Sequence, residues 1–211
     1  MLEWTWVPVA YLMGSIPFGL VLARVFCKTD PQSAGSGNIG ATNVTRLCGL
    51  PVGIATLLFD AGKGALALYL GLRLFTPAAG TDGMDEPGAL ALFITLVGLA
   101  VILGHMHSIF LKFKGGKAVA TTLGVFLFLV PVQTLIAAAL CIAIIAWKKY
   151  VSLGSLVLVL SLPVVIFLSG RTDLLVLSLA AAFFVANAHK PNIRRLLKGE
   201  EKPWRKQKEE E

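Results

Sequence analysis

The 211-residue chain is 56% hydrophobic and only 15% charged, against about 25% charged residues in a soluble domain. Its apolar residues come in long runs, not at a helical or strand period, which excludes a soluble globular protein and reads as an integral membrane protein with several helical spans. The formal net charge of +7 does not indicate nucleic acid, because basic residues in such a chain are first counted by the side of the bilayer they occupy.

No long linker or second composition regime interrupts residues 1–211, so one domain is expected, with a solvated, disordered tail from about residue 202. The N-terminus holds Glu3 and no Lys or Arg before Arg24. That lacks the basic region of a signal peptide, so the first span is expected to stay in the mature protein. Cys27, Cys48 and Cys141 are odd in number and include no CxxC. Reduced thiols are expected, with neither a disulfide nor a zinc site.

The first span is predicted over Trp4 to Phe26, with Trp4 and Trp6 as interfacial anchors. Inside it, GSIPFG (Gly14 to Gly19) is read as small residues for close helix packing. Then comes GSGNIGATNVTR, Gly35 to Arg46, the least hydrophobic long stretch of the first half. Its glycines can turn successive N–H groups toward an anion, and Arg46 adds a planar fork of donors. Gly35, Gly37 and Gly40 also spell GxGxxG, but a helix-length apolar run precedes them and no strand follows. The dinucleotide reading is therefore rejected.

The second span, Leu50 to Leu72, carries Asp60 and Lys63 on one helix face. A charged pair at membrane depth is a transport relay or an internal strut; the strut is favoured because each charge already has a partner. An acidic loop with Asp82, Asp85 and Glu86 follows, then a third span from Ala89 to Leu103. GHMHSIFLKFKGGKAVATTLG, Gly104 to Gly124, is the second unusual segment. Its KGGK directly precedes a short fourth span, Ala118 to Val130, so Lys114, Gly115, Gly116 and Lys117 would form a phosphate seat at a helix N-terminus. Spans five to seven are predicted at Val132 to Trp147, Val151 to Leu168 and Leu174 to Ala188. AHKPNIRRLLKGEEKPW follows as a surface helix ending near Gly199, with His189 and Asn192 on one face.

The expected fold is thus all-α, a polytopic bundle of seven transmembrane helices. With the N-terminus outside and the C-terminus cytoplasmic, Arg73, Arg171 and the in-span Lys63 are the only ones of the 19 Lys and Arg not on the inside. The three donor-rich, acid-poor segments then share the cytoplasmic face, which suits an anionic phosphorylated substrate.

SGNIGATNVTR, GHMHSIFLKFKGGKAVAT and HKPNIRRLLKGEE, in this order and spacing, resemble the three motifs of the bacterial acyl-phosphate:glycerol-3-phosphate acyltransferases. GSIPFG and FDAGKG also look like that family, and the likeness runs from residue 11 to about 201. It implies an inner-membrane enzyme that moves a fatty acyl group from acyl phosphate to the 1-hydroxyl of glycerol 3-phosphate. Lysophosphatidic acid and phosphate would be the products, made at a cytoplasmic site without cofactor, metal or obligate protein partner. Carried over, Ser36, Arg46, Lys117, His189 and Asn192 are the catalytic candidates. Gly35, Gly37, Asn38, Gly40, Asn43, Lys114, Gly115, Gly116 and Arg195 are the substrate- or phosphate-binding candidates, the Gly115–Gly116 pair matching glycines associated with acyl phosphate. Glu201 matches an acid given a structural role. The chain departs from the family at His107 and Ser108 (usually an aromatic and a proline), at Ala118 (usually glycine) and at Lys190-Pro191.

His189 or an oxygen of the acyl phosphate would take the hydroxyl proton. No acid is placed for a Ser–His–Asp triad, so a covalent Ser36 intermediate is not expected. A transporter of phosphorylated anions is the competing class, but no internal repeat is evident.

Overall fold

The computed structural model of the protein describes residues 2–75 and 87–204; the loop with Asp82, Asp85 and Glu86 and the chain beyond Trp204 lie outside the described residues. Every regular element among the described residues is helical. The helices are α1 (Trp6–Ser15), α2 (Phe18–Cys27), α3 (Ala41–Cys48), α4 (Leu50–Phe75), α5 (Pro87–Met106), α6 (Val119–Leu129), α7 (Pro131–Lys148), α8 (Val151–Leu168), α9 (Leu175–Ala188) and α10 (Lys190–Leu197).

By length and hydropathy, Glu3–Cys27, Leu50–Phe75, Gly88–Leu111, Pro131–Lys148 and Val151–Leu168 can each cross a membrane. The seventh expected span, α9, qualifies only together with α10, from which it is bent by 62°. The fourth, α6, has 11 residues. That is about 16 Å of helix, well short of a hydrocarbon core of about 30 Å. The chain is an integral membrane protein with five or six spans of full length among the described residues.

The first span is broken. Pro17 has no N–H to continue the ladder and forces Ile16 out of the helical region (φ −59°, ψ 117°). This exposes the last carbonyls of α1 inside an apolar bundle, where they must find internal donors. Ser108 Oγ donates to Ser15 O at 2.5 Å, and Lys63 Nζ donates to Ile16 O at 2.8 Å. GSIPFG is therefore a helix break supported by two polar side chains, not only a packing surface.

Glycines set the closest helix approaches. A Cβ at Gly64 of α4 would strike the Thr121 carbonyl of α6, and one at Gly124 of α6 would strike the Ala61 carbonyl of α4. Phe93, Phe126, Leu162, Ile166 and Leu177 fill the interior, while Val132, Leu135 and Ile136 of α7 point outward, as lipid-facing residues do. α3 folds back beside α2, so both helices end together and Cys27 and Cys48 form a disulfide with their Cα atoms 5.7 Å apart. That corrects the expectation of reduced thiols for this pair; a separation of 21 residues in sequence does not reveal the meeting of two helix ends. Cys141 is free.

Candidate active site

A cavity of about 800 Å³ opens where α3, the start of α6, α8 and the α9–α10 corner converge. Loops and helix ends supply most of its polar lining, among it Ser36, Arg46, Lys117, His189, Asn192 and Arg195, and Asp60 of α4 and His105 of α5 also border it. Mid-helix positions supply its apolar lining, including Ile54 and Leu57 of α4, Leu123 of α6, Ile142 of α7 and Leu158 of α8.

The loop before α3 is held by one side chain. Asn43 Oδ1 accepts the Ser36 N–H at 2.8 Å, while its Nδ2 donates to the carbonyls of Pro31, Ala34 and Asn38 at 3.1, 3.0 and 2.9 Å. Asn43 is buried, and its amide is consumed in folding the loop rather than offered to a ligand. Gly35 is required at φ +65°, where a Cβ would also collide with Asn43 Oδ1. Asn38 Oδ1 caps the Gly40 N–H at 2.8 Å. The result presents Ser36 and Gly37, with the uncapped first turn of α3, to the cavity. Arg46 projects from the last turn of α3 and reaches the Lys202 and Pro203 carbonyls at 3.5 Å.

The second segment behaves differently. Gly115 and Gly116 do not line the cavity. Their N–H groups donate to the Met106 and His105 carbonyls, both at 3.0 Å, at the C-terminus of α5. Those carbonyls have no intrahelical partner, so the N–H groups of the glycine pair close a helix end. Lys114 is exposed, away from the cavity, and its carbonyl accepts from Gln32 Nε2 at 3.1 Å. What the segment delivers to the site is Lys117 and the first turn of α6, where Val119 and Ala120 line the cavity. Ala118 sits between them in the left-handed region (φ 58°). That explains why glycine suits this position.

A polar network joins the third motif to Lys117. Lys117 Nζ donates to Asn192 Oδ1, and Asn192 Nδ2 donates to Glu201 Oε1 at 2.6 Å. Glu201 also accepts from Ser152 Oγ at 2.7 Å and from Arg195 Nε at 2.7 Å. Burial pushes the Glu201 carboxyl up, but the hydrogen bonds from Ser152, Asn192 and Arg195 outweigh it and hold the group below the usual range. Burial lowers Lys117 to about 8, with the Arg195 and Arg46 charges adding to the fall and Glu201 opposing it. His189 lies in the break between α9 and α10, past the apolar helix. Burial, with Lys117 second, lowers it to about 4, so it is neutral near pH 7. Its Nδ1 lies 2.7 Å from the Val185 carbonyl, an acceptor only. Nδ1 must therefore carry the proton, which leaves the Nε2 lone pair as the ring's acceptor.

Ser36, Arg46, Lys117, His189, Asn192 and Arg195 thus share one cavity, as do Gly35, Gly37, Asn38, Gly40 and Asn43, while Lys114, Gly115 and Gly116 do not line it. Sequence reasoning missed Ser152, which has no motif around it, and Lys202 and Trp204, which were assigned to a loose tail but line the cavity. The Trp204 N–H donates to the Lys149 carbonyl at 2.7 Å, fastening that segment. Among the described residues no group of three His, Cys, Asp or Glu converges as a metal site.

The sequence profile of the glycerol-3-phosphate acyltransferase family matches residues 4–199. Glycerol-3-phosphate acyltransferases of Nitratidesulfovibrio vulgaris and Desulfovibrio desulfuricans are each 48% identical to the chain, over 201 and 208 residues. The alignments cover 95% and 99% of this chain, and the chain spans 58% of the first relative's length and 87% of the second's. PlsY (YgiH), an integral membrane glycerol 3-phosphate acyltransferase, has been solved in a glycerol 3-phosphate form and a lysophosphatidic acid form. The two match with TM-scores of 0.85 and 0.82 at 36% and 35% identity, each over 96% of this chain and over 96% and 95% of theirs. Likeness at this level runs through every element around the cavity, and the chain belongs to the glycerol-3-phosphate acyltransferase family.

Proposed function

We propose that this protein transfers a fatty acyl group from acyl phosphate to the 1-hydroxyl of glycerol 3-phosphate, releasing lysophosphatidic acid and inorganic phosphate. The observation that carries the reading is the joining of Lys117, Asn192, Glu201 and Arg195 in one network at a cavity that also has an apolar wall of mid-helix residues. Such a cavity fits substrates with phosphate groups at one end and a hydrocarbon chain at the other.

Lys117, Arg46 and Arg195, with the opening turns of α3 and α6, neutralise the two phosphates and fix their positions. Asn192 and Glu201 hold Lys117 in place. Alignment of hydroxyl and acyl carbon supplies much of the rate, up to roughly 7–11 kcal/mol. The hydroxyl oxygen attacks the acyl carbon, the carbon–oxygen bond to phosphate breaks, and phosphate leaves with the electron pair. His189 Nε2 accepts the hydroxyl proton. Two substrate phosphates beside the ring would raise its proton affinity, the direction a base needs.

The basic residues favour seven crossings with the N-terminus outside and the site at the cytoplasmic face of the inner membrane, α6 being a short crossing. A reporter fused to the C-terminus and assayed for cytoplasmic exposure checks this; exposure on the opposite face refutes it. The donor is tested with purified protein in detergent, glycerol 3-phosphate, and either acyl phosphate or acyl-CoA. Lysophosphatidic acid is expected from acyl phosphate alone, and its formation from acyl-CoA but not acyl phosphate would contradict the reading.

A further inference from the structure

Asp60, Lys63 and His105 are 1%, 5% and 4% exposed, a cluster of ionisable side chains within the spans. Lys63 Nζ donates to Ile16 O at 2.8 Å, lies 2.9 Å from His105 Nδ1 and pairs as an ion with Asp60 Oδ1 at 2.8 Å, an oxygen that is also 3.5 Å from His105 Nδ1. An ammonium 2.9 Å away requires a lone pair on Nδ1, so the ring proton of His105 is on Nε2. Nε2 in turn lies against Gly116, where any Cβ would collide with it. The Gly116 N–H donates to the His105 carbonyl at 3.0 Å, so ring and backbone of one residue grip the same glycine. The next residue is Lys117.

We propose that Asp60, Lys63 and His105 act as a positioning device for Lys117, holding the His105 ring beneath Gly116 so that the Lys117 ammonium stays in the cavity. Asp60 and His105 also border the cavity, but their contact with Lys117 runs through Gly116, so the three are proposed as positioning residues. The same Lys63 fastens the α1 break through Ile16 O, so one ammonium orients both the broken span and the second motif. This inference rests on the acyltransferase reading for its meaning and its kinetic readout, but not for its labelling readout.

Removing Lys63 would strand Asp60 without its cation in the bundle and endanger folding. The informative variant is His105→Asn, whose Oδ1 can still accept from Lys63 but whose shorter side chain leaves Gly116 unsupported. Two readouts separate the outcomes. One is the labelling rate of the Lys117 amine by an acylating reagent between pH 6 and 11, followed by mass spectrometry. The groups facing that amine are Asn192, Glu201, Arg195, Arg46 and His189, and all are left intact. The other is kcat/KM for glycerol 3-phosphate with acyl phosphate.

In the parent the labelling midpoint is expected near 8. In His105→Asn it is expected to rise by at least one pH unit toward the ordinary lysine value of about 10.4 as the side chain reaches water. kcat/KM is expected to fall at least tenfold, with Tm within a few degrees of the parent. Gly116→Ala should give the same two changes, and His105→Ala combined with Gly116→Ala should recover part of the loss by removing the collision. An unchanged labelling midpoint in both single variants overturns the positioning role. A parent that labels as expected but makes no lysophosphatidic acid defeats the acyltransferase reading instead.

Discussion

The two glycine segments look alike in sequence and fold by different means. In the first, a buried amide, Asn43, gathers the Ser36 N–H and three carbonyls, and the loop's outer surface is left for the cavity. In the second, Gly115 and Gly116 dock onto the open carbonyls of α5, and no glycine reaches the cavity. A glycine-rich stretch between membrane helices is thus weak grounds for a phosphate cradle. The donors that face the cavity are Lys117, Arg46, Arg195 and the first turns of α3 and α6. In both segments the glycines serve to place a neighbour: Ser36 in one, Lys117 in the other.

If that contrast is right, the largest loss comes from the residue the second segment places. Lys117→Met is expected to lower kcat/KM by about 10³-fold, the scale of losing a donor aimed at developing charge, with Tm little changed. His189→Gln is expected to lower kcat by at least about 10²-fold; retention of most of kcat would remove His189 as the base.

The contrast sharpens at Asn43. Asn43→Ala leaves the Ser36 N–H and the Pro31 and Asn38 carbonyls without the Asn43 amide, each costing about 1–3 kcal/mol if it stays dry, while Ala34 O keeps the Gly37 N–H. Activity should fall at least tenfold through KM, and proteolysis should quicken between residues 31 and 40. Asn43→Asp should fail similarly, because an ionised carboxylate cannot donate to those carbonyls.

The pH dependence probes the Lys117 side. Its amine is lowered to about 8, so it is charged below that pH and neutral above it. kcat/KM, which reports free enzyme, is therefore expected to be level between the His189 value of about 4 and pH 8, and to fall roughly tenfold per unit above it. Lys117→Arg should abolish that fall, whatever its residual rate. The smallest effect is at Ala118. Relief of its positive φ by Ala118→Gly should stabilise the protein by about 1 kcal/mol, read as a small rise in Tm.

Much of the architecture was legible because bilayer thickness writes itself into apolar run lengths. Five expected spans have full-length counterparts, and α6 and α9 have shorter ones. The gathering of Ser36, Arg46, Lys117, His189 and Asn192 at one cavity was legible through three motifs in order. What was not legible depended on who meets whom. GSIPFG gives no hint that Lys63 and Ser108 serve its freed carbonyls. Ser152 reads as one small residue in an apolar helix until Glu201 returns to it from another segment. Cys27 and Cys48 sit apart in sequence and pair only because α3 doubles back beside α2. The N–H groups of Gly115 and Gly116 could not be known to be spoken for until the end of α5 was in place.

The most direct measurement follows both products of one turnover set. Purified protein is mixed with acyl phosphate and glycerol 3-phosphate, and lysophosphatidic acid and inorganic phosphate are quantified together, with Lys117→Met as the blank. The result expected is equal amounts of the two products, strongly reduced together in the blank. Phosphate release without lysophosphatidic acid, or equal transfer by Lys117→Met, would contradict an acyl-transfer site built around Lys117.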